Sequence, residues 1–532
     1  MMGGLFLVTK AATDRLVLAL LVAGPLLAGL VSLRYDRIRF AGEDSDGVKY
    51  VQAARNLLNG RGLVHSRHGA TAPWGQIWEP LREWPPGYPI LVAAVSRATG
   101  LEPLTAALWI TRLSWAILPA LFLLCLGPLL PSGWAAVVAL LAAFSPGFLE
   151  SGTVPRADAP FCVVVCLTLL AFRAFLANQR LRWLFAAAVL AGASYTIRTI
   201  GLSLMAGVPA ALVANRLFMA ERARRREVVR ELLVWAIGVA IATGPLVLRN
   251  LSVFGQVQPY SLPPSTIGLV HNLRWLVFGM ISDVSGRRDL GLWVAWNWLP
   301  LGMTALAGAA LVFGFVRDQI YNSTTSDRGT ATYSAALLFY ATASAAMLVL
   351  GRSTYQWGDL INERYVAQFT WIVLAIVFCQ LLDRWSGRRN QIVQIVLVIA
   401  CLAGAASRAG IVVSARGDES LGVAADGYLR EELRAWAARG DVIVSDSGPL
   451  LSLVADVNVR KIYGAPRGQC PESFEAPLSS LATDRALANV ALHAVVLSVG
   501  PCLDNDVHAL EPSWTVVRKA NAYIVLVAPA PR

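Results

Sequence analysis

The sequence carries at residues 43–50 the stretch Glu43-Asp44-Ser45-Asp46-Gly47-Val48-Lys49-Tyr50, directly after the first long apolar run of the chain. A second stretch, Trp84-Pro85-Pro86-Gly87-Tyr88-Pro89, follows it and precedes a long series of further apolar runs. Ionisable side chains at the edge of apolar spans are energetically costly and usually serve a function. An acidic loop ahead of many apolar runs therefore predicts an α-helical polytopic membrane protein with a polar site in its first loop.

The composition also indicates a membrane protein. Of the 532 residues, 56% are hydrophobic and 15% are charged, and the mean hydropathy of +0.54 exceeds that of soluble domains. The formal net charge of +12 would suit a nucleic-acid partner, but the arginines lie in short loops without interleaved stacking aromatics. We therefore expect no nucleic-acid partner and attribute the charge to cytoplasmic loops.

Apolar runs long enough to cross a bilayer recur along most of the chain. A crossing helix needs roughly twenty residues at ~1.5 Å per residue. This criterion predicts about eleven spans, at 16–33, 104–126, 134–149, 158–176, 183–197, 200–217, 232–248, 291–316, 332–350, 366–381 and 391–410. The apolar segment 87–99 is too short to cross, so we expect an interfacial or re-entrant helix there.

The charges of the loops orient these spans. With the N-terminus in the cytoplasm, the Arg222–Arg230 cluster and the other basic loops fall on the inside, as the distribution of Lys and Arg in membrane proteins requires. The run at 16–33 is too long for the core of a secretory leader and no small-residue cleavage site follows it, so we expect a retained span. The last part of the chain then lies outside.

This topology predicts two domains. Residues 1–410 form a transmembrane domain whose first outer loop, 34–103, carries interfacial helices, and residues 411–532 form a small exoplasmic α/β domain. The predicted elements of the second domain are helices at 428–439 and 478–489 and strands at 441–446, 459–463, 494–499, 515–517 and 523–527. Cys470 and Cys502 either pair in this oxidising compartment or remain two buried thiols.

Polar residues from five separate loops are expected to meet on the outer face. Solvated loops could hold such charges independently, but Asp158 and Arg198 lie at the ends of predicted spans, where unpaired burial costs several kcal/mol. We therefore predict one shared site. Its members are Asp44, Asp46, Arg156, Asp158, Arg198, Arg249, Asn250, Glu363, Arg364 and Tyr365.

Several outer-loop motifs follow a known pattern. They are Asp46-Gly-Val-Lys49-Tyr50, Ala54-Arg55-Asn56-Leu57-Leu58-Asn59-Gly60-Arg61-Gly62, Pro85-Pro86-Gly87-Tyr88-Pro89, Arg156-Ala-Asp158-Ala-Pro160, Gly244-Pro245 with Arg249-Asn250 and Phe254-Gly255, and Glu363-Arg364-Tyr365. With these motifs, residues 1–384 resemble the GT-C class of membrane glycosyltransferases. The similarity is greatest to the bacterial branch with protein O-mannosyltransferases and the lipid A aminoarabinose transferase.

The resemblance implies transfer of a hexosyl or pentosyl group from a polyprenyl-phosphate sugar donor to an acceptor, with inversion at the anomeric carbon. The acceptor would be a glycan, a lipid or a protein on the non-cytoplasmic face. The implied location is the bacterial inner (plasma) membrane, with membrane lipid around the spans and the C-terminal domain in the periplasm.

The resemblance also implies roles for the acidic residues. Asp46 matches the loop-one aspartate and would be the general base. Asp44 is its rival, because Asp44 and Asp46 together also suit a divalent cation, and members of the class differ in metal dependence. Asp158 would flank the same cavity as a second catalytic residue, either orienting the acceptor or sharing a cation; its alternative is a favourable helix N-terminal charge worth roughly 0.3–1 kcal/mol.

Basic and aromatic residues are the implied substrate-binding groups. Guanidinium groups bind phosphate in a bidentate manner and stay charged near lipid, although each could instead be a helix end that reaches for the interface. Tyr365 would hydrogen-bond phosphate or sugar, or serve only in packing. The full set comprises Lys49, Tyr50, Arg82, Arg198, Arg249, Arg364 and Tyr365.

Two other classes of function fit the same sequence less well. A transporter or flippase of a lipid-linked sugar should place ionisable groups in mid-membrane, within repeated halves, whereas the predicted spans are almost free of charge and show no repeat. A non-catalytic subunit of an envelope assembly would tolerate the loss of Asp46, Asp158 or Arg364 individually.

Overall fold

The structure has two compact units. The computed structural model describes residues 46–66, 78–82, 84–219, 225–259, 262–317, 328–355, 360–384, 427–439, 441–445, 451–452, 455–457, 459–461, 492–498, 515–519 and 523–527. The first unit comprises Met1–Arg34, Arg82–Tyr88 and Leu108–Ala415, and the second comprises Tyr35–Leu81, Pro89–Ala107 and Arg416–Arg532. Much of the predicted first outer loop thus groups with the C-terminal segment, while the boundary after residue 410 stays a prediction.

Helices make up most of the described chain. In order they are α1 Asp46–Leu58, α2 Gly87–Thr99, α3 Pro103–Leu126, α4 Ser132–Ala143, α5 Pro146–Thr153, α6 Asp158–Asn178, α7 Leu181–Ile197, α8 Leu202–Met219, α9 Arg225–Phe254, α10 Leu269–Ser285, α11 Arg288–Trp296, α12 Trp298–Phe315, α13 Arg328–Thr354, α14 Glu363–Arg384 and α15 Gly427–Ala438. A short 3-10 helix, Thr199–Gly201, joins α7 to α8.

Several of these helices have the length and composition of membrane spans. Within the described ranges, five are long and apolar enough to cross a bilayer, namely α3, α6, α9, α12 and α13, and α4, α7 and α8 contain shorter apolar stretches. The prediction of a largely helical chain with several apolar helices is confirmed in this coarse form. The count of about eleven spans stays a prediction, since the runs at 16–33 and 391–410 lie outside the described residues.

Two runs predicted as single spans are each two helices, so those predictions were wrong in detail. The run 134–149 is broken at Ser145, which is extended (φ −65°, ψ 154°) before Pro146 begins α5; proline has no N–H and disfavours the helical conformation in the preceding residue. The run 291–316 is broken at Asn297 (φ −104°, ψ 123°), whose side-chain amide donates to the Trp293 carbonyl at 2.6 Å.

Glycines allow α7 and α9 to pack closely in the first unit. A methyl group added at Gly192 would lie 2.7 Å from Cβ of Ala242, and one at Gly238 would lie 2.6 Å from Cβ of Ala188. Small residues permit such close helix contacts in membranes, where packing rather than water exclusion drives association. The two helices therefore hold their C-terminal ends, which carry Arg198 and Arg249, in a fixed relation.

The second unit contains β-structure. Strands β1 (Val64–Ser66) and β2 (Trp78–Pro80) pair antiparallel. A five-stranded mixed sheet has the order β4-β3-β5-β7-β6; its strands are β3 Val442–Ser445, β4 Arg460–Lys461, β5 Leu492–Ser498, β6 Thr515–Lys519 and β7 Tyr523–Val527. Its core includes Leu429, Leu433 and Trp436 of α15 with Ile443 and Val525. Most of the predicted elements are present, whereas 478–489, Cys470 and Cys502 lie outside the described residues.

Candidate active site

Asp158, Arg198 and Arg364 form a buried, ion-paired cluster in the first unit. Nε of Arg364 lies 3.2 Å from Oδ2 and 3.4 Å from Oδ1 of Asp158, and Arg198 pairs with Oδ1 of the same carboxylate. The exposed fractions of the three side chains are 7% for Asp158, 14% for Arg198 and 8% for Arg364. The structure thus brings together three of the predicted site residues, and their roles remain predictions.

Helix ends position each member of this cluster. Asp158 begins α6, and Pro160 in the same first turn suits a helix start. Arg198 caps the C-terminus of α7 in an extended conformation (φ −145°, ψ 135°), and Arg364 lies in the first turn of α14. Helix N-termini carry partial positive charge, so α6 and α14 add to the positive potential of the arginines.

A third guanidinium group joins the cluster around the ring of Tyr365. Cζ of Arg352 lies 4.4 Å from the ring centroid, Cζ of Arg364 lies 5.4 Å from it, and Cζ of Arg198 lies 6.0 Å from it. The three arginines therefore share the ring of Tyr365, and two of them, Arg198 and Arg364, also pair with the carboxylate of Asp158. Sequence reasoning missed Arg352; its only signal was a basic residue in the last turn of α13.

A second pair of arginines lies over another aromatic ring of the first unit. Cζ of Arg82 is 5.0 Å and Cζ of Arg249 is 5.5 Å from the centroid of Phe254. Arg249 is half-buried and donates to Oδ1 of Asn250 at 3.1 Å, while the Asn250 amide donates to the Val257 carbonyl at 2.9 Å. Arg82 is exposed. The pair thus forms a second, more accessible cationic surface.

The segments that carry the second pair are anchored at the C-terminal end of α7. Gly87 lies so close to Thr196 that an added methyl group would be 2.5 Å from the Thr196 carbonyl oxygen, and only glycine fits there. The hydroxyl of Tyr195 donates to Oε1 of Gln258 at 2.6 Å. Both contacts lie within three residues of Arg198. The end of α7 therefore positions both Arg198 and the segments that carry Arg82 and Arg249.

Asp46, Lys49 and Tyr50 belong to the second unit. Asp46 is the first residue of α1 and is half-buried, whereas Lys49 and Tyr50 are buried. Asp44 lies outside the described residues. In the described part of the chain, which contains Asp46 but not Asp44, no three His, Cys, Asp or Glu side chains form a metal-binding group. A role for Asp46 as base or metal ligand stays a prediction.

Glu363, the neighbour of Arg364, is engaged in a salt bridge. Its carboxylate accepts from Nε and Nη2 of Arg288 at 2.7 and 3.2 Å, and its side chain is buried while that of Arg288 is largely exposed. Fork-like pairing of this kind fixes both side chains. Glu363 therefore holds the start of α14 in place.

Comparison with known proteins identifies the fold of the chain. Residues 83–247, which include Asp158 and Arg198, match the profile of the family described as dolichyl-phosphate-mannose-protein mannosyltransferase. No curated protein sequence matches the chain significantly. The structure of ArnT from Cupriavidus metallidurans bound to undecaprenyl phosphate aligns with a TM-score of 0.54 at 15% identity, over 96% of this chain and 98% of ArnT. The chain has the GT-C fold.

Other solved structures support this assignment of the fold. The Archaeoglobus fulgidus oligosaccharyltransferase tethered to an acceptor peptide aligns with a TM-score of 0.56 at 13% identity, over 91% of this chain and 69% of that enzyme. The archaeal oligosaccharyltransferase AglB from Archaeoglobus fulgidus, in complex with an inhibitory peptide and a dolichol-phosphate, aligns with a TM-score of 0.52 at 14% identity, over 91% and 69% of the two chains. The resemblance read from the motifs is confirmed.

On this GT-C fold, the buried cluster of Asp158, Arg198 and Arg364 is suited to stabilising negative charge. Arginines held by a carboxylate and by an aromatic ring are preorganised donors, which stabilise developing negative charge without reorganisation during the reaction. Planar guanidinium groups match the oxygens of a phosphate. The cluster is therefore suited to hold an anionic leaving group, while Asp158 keeps its arginines in place.

Proposed function

We propose that the chain transfers a glycosyl group from a polyprenyl-phosphate sugar to an acceptor on the outer face of the membrane, with inversion at the anomeric carbon. The observation that carries this proposal is the buried group of Arg198, Arg352 and Arg364 around Asp158 and Tyr365. The GT-C fold and the family profile support it. ArnT is described as bound to undecaprenyl phosphate, a ligand of the same chemical class as the proposed donor.

The proposed reaction is a direct displacement. The carboxylate of Asp46 takes the proton of the acceptor hydroxyl while the acceptor oxygen forms a bond to the anomeric carbon. The bond between that carbon and the phosphate oxygen breaks, and both of its electrons leave with the polyprenyl phosphate. Arg198, Arg352 and Arg364 stabilise the charge of the departing phosphate.

The remaining residues bind or orient the substrates in this proposal. Arg82 and Arg249 attract the lipid phosphate at the more accessible surface. Lys49 and Tyr50 contact the sugar or its phosphate from the first outer loop, and Tyr365 hydrogen-bonds the donor. Asp44 with Asp46 offers hard oxygen ligands to a divalent cation, and transfer measured with and without a chelator tests that part.

The direct test is transfer by purified protein in liposomes with a radiolabelled pool of polyprenyl-phosphate sugars and membrane-extract acceptors. Asp46→Asn should reduce turnover by about 10²–10⁴-fold, the usual contribution of a positioned base. The exposed pair Arg287 and Asp289 supplies matched controls, and Asp289→Asn should keep full activity. Full turnover in Asp46→Asn would remove Asp46 as base, and movement of intact donor across the bilayer without transfer would favour a flippase.

A further inference from the structure

A buried carboxyl group outside the arginine clusters joins two helices of the first unit where they meet a third. Asp283 lies near the C-terminal end of α10, with 2% of its surface exposed, and its Oδ1 accepts the backbone N–H of Gly147 at 3.0 Å. Gly147 is in the first turn of α5, whose N-cap residue Ser145 provides no side-chain cap. The first N–H groups of a helix need partners from outside the helix, and Asp283 supplies one from α10.

The same glycine lies against α14. A methyl group added at Gly147 would lie 2.5 Å from the carbonyl oxygen of Glu363 and 2.7 Å from Cβ of Ala367. The helices α5, α10 and α14 therefore meet at one point, next to Arg364. Gly147 is connected to Asp158, the first residue of α6, through the rest of α5 and a short segment after Thr153. On α14, Glu363 directly precedes Arg364, the partner of Asp158.

We propose that Asp283 is a positioning residue whose ionised carboxylate holds α5 against α14 and thereby sets the geometry of the Asp158–Arg364 pair in the donor-phosphate site. The proposal rests on the function proposed above. Asp283 acts through the backbone of Gly147 and contacts no reacting atom. A negative charge at the N-terminus of α5 also interacts favourably with the helix dipole.

Ionisation of the Asp283 carboxyl costs free energy because the group is buried. Burial raises the pKa of the Asp283 carboxyl to about 7, against the lowering effect of the Gly147 N–H, and the charge of Glu363 raises it further. The helices packed against α10 also carry other charged residues, namely Arg364, Asp383 and Arg384 on α14, Arg328 and Arg352 on α13, Arg288 and Asp289 on α11, and Glu150 on α5.

The sign of the pH dependence follows from this pKa. An aspartate in an unfolded chain titrates near pH ~3.9, so the folded protein binds this proton more tightly than the unfolded one. Stability is therefore lost as the pH rises from roughly 4 to 7. An asparagine keeps the shape of the protonated carboxyl and its acceptor oxygen but never ionises, so it avoids this loss and also lacks the charged contact to Gly147.

The test compares Asp283→Asn with wild type at about pH 5.5 and about pH 8, on either side of the transition. At the higher pH the variant should melt at a higher temperature in detergent, yet transfer about tenfold more slowly or with a correspondingly raised donor KM, because a charged hydrogen bond becomes a neutral one. At the lower pH the two proteins should transfer sugar at the same rate, because both then carry a neutral side chain, and the difference between their melting temperatures should be smaller than at about pH 8. Asp289→Asn, an exposed carboxylate on the adjacent helix, should follow wild type at both pH values.

Each outcome decides one proposal. A variant that is less stable and less active by the same factor at both pH values would show a purely structural role and overturn the positioning proposal. So would a variant whose rate and melting temperature follow wild type throughout. If wild type itself transfers no sugar at either pH, the proposed function fails and the role of Asp283 fails with it.

Discussion

The two groups of arginines in the first unit differ in what surrounds their guanidinium groups. Arg198 and Arg364 are buried against the carboxylate of Asp158, whereas Arg82 and Arg249 lie over the ring of Phe254 with Arg82 exposed. Breaking a buried pair leaves an uncompensated charge, while losing an exposed arginine removes only its attraction. Equal changes of charge should therefore affect folding and activity together in the first group, and mainly binding in the second.

The largest expected effect is at the shared carboxylate. Asp158→Asn keeps the side-chain volume but leaves two buried guanidinium groups without their counter-ion, which costs about 3–5 kcal/mol. We expect a lower melting temperature in detergent and a loss of transfer of at least about 10²-fold. Asp289→Asn, which breaks an exposed pair, should change neither. A variant with normal melting and lost transfer would make Asp158 purely catalytic and weaken the contrast between the groups.

An intermediate effect is expected at the accessible pair. Arg249→Ala removes one half-buried cation and its hydrogen bond to Asn250, so the melting temperature should fall much less than in Asp158→Asn, while the KM for donor rises about tenfold, as for a charge-assisted contact worth about 1.4 kcal/mol. Arg287→Ala is the matched exposed control. A fall in melting temperature comparable to that of Asp158→Asn would erase the distinction between the two groups.

The smallest effect is expected at the aromatic ring of the buried group. Tyr365→Leu removes the face on which Arg352 and Arg364 lie, and cation–π contacts contribute about 0.5–2 kcal/mol. Transfer should fall by up to about 30-fold. Tyr365→Phe keeps the ring and isolates the hydroxyl. If Tyr365→Phe loses as much transfer as Tyr365→Leu, the hydroxyl rather than the ring contributes to transfer, as expected for a hydrogen bond to the donor.

Residue patterns predicted the helix ends and the meeting of Asp158, Arg198 and Arg364, but not the parts of Arg352 and Asp283. The acid at the start of α6 and the arginine at the end of α7 could be located from apolar runs, because charges mark where such runs stop. Arg352 could not be recognised as a site residue in this way, since a basic residue at a span end usually only marks the interface. Asp283 gave no signal because its partner, the N–H of Gly147, is a backbone group far away in sequence. Pro146 is a residue that can end a helix, but the apolar run around it favours a single continuous span.

The central claim is that the buried arginine group holds the phosphate of a polyprenyl-linked donor. The most direct measurement is an experimental structure of the full chain with bound polyprenyl phosphate. The account predicts phosphate oxygens within hydrogen-bonding distance of Arg364 and at least one of Arg198 and Arg352, with the Asp46 carboxylate facing the same cavity. A phosphate bound elsewhere, or Asp46 on the opposite side of the membrane from Arg364, would contradict it.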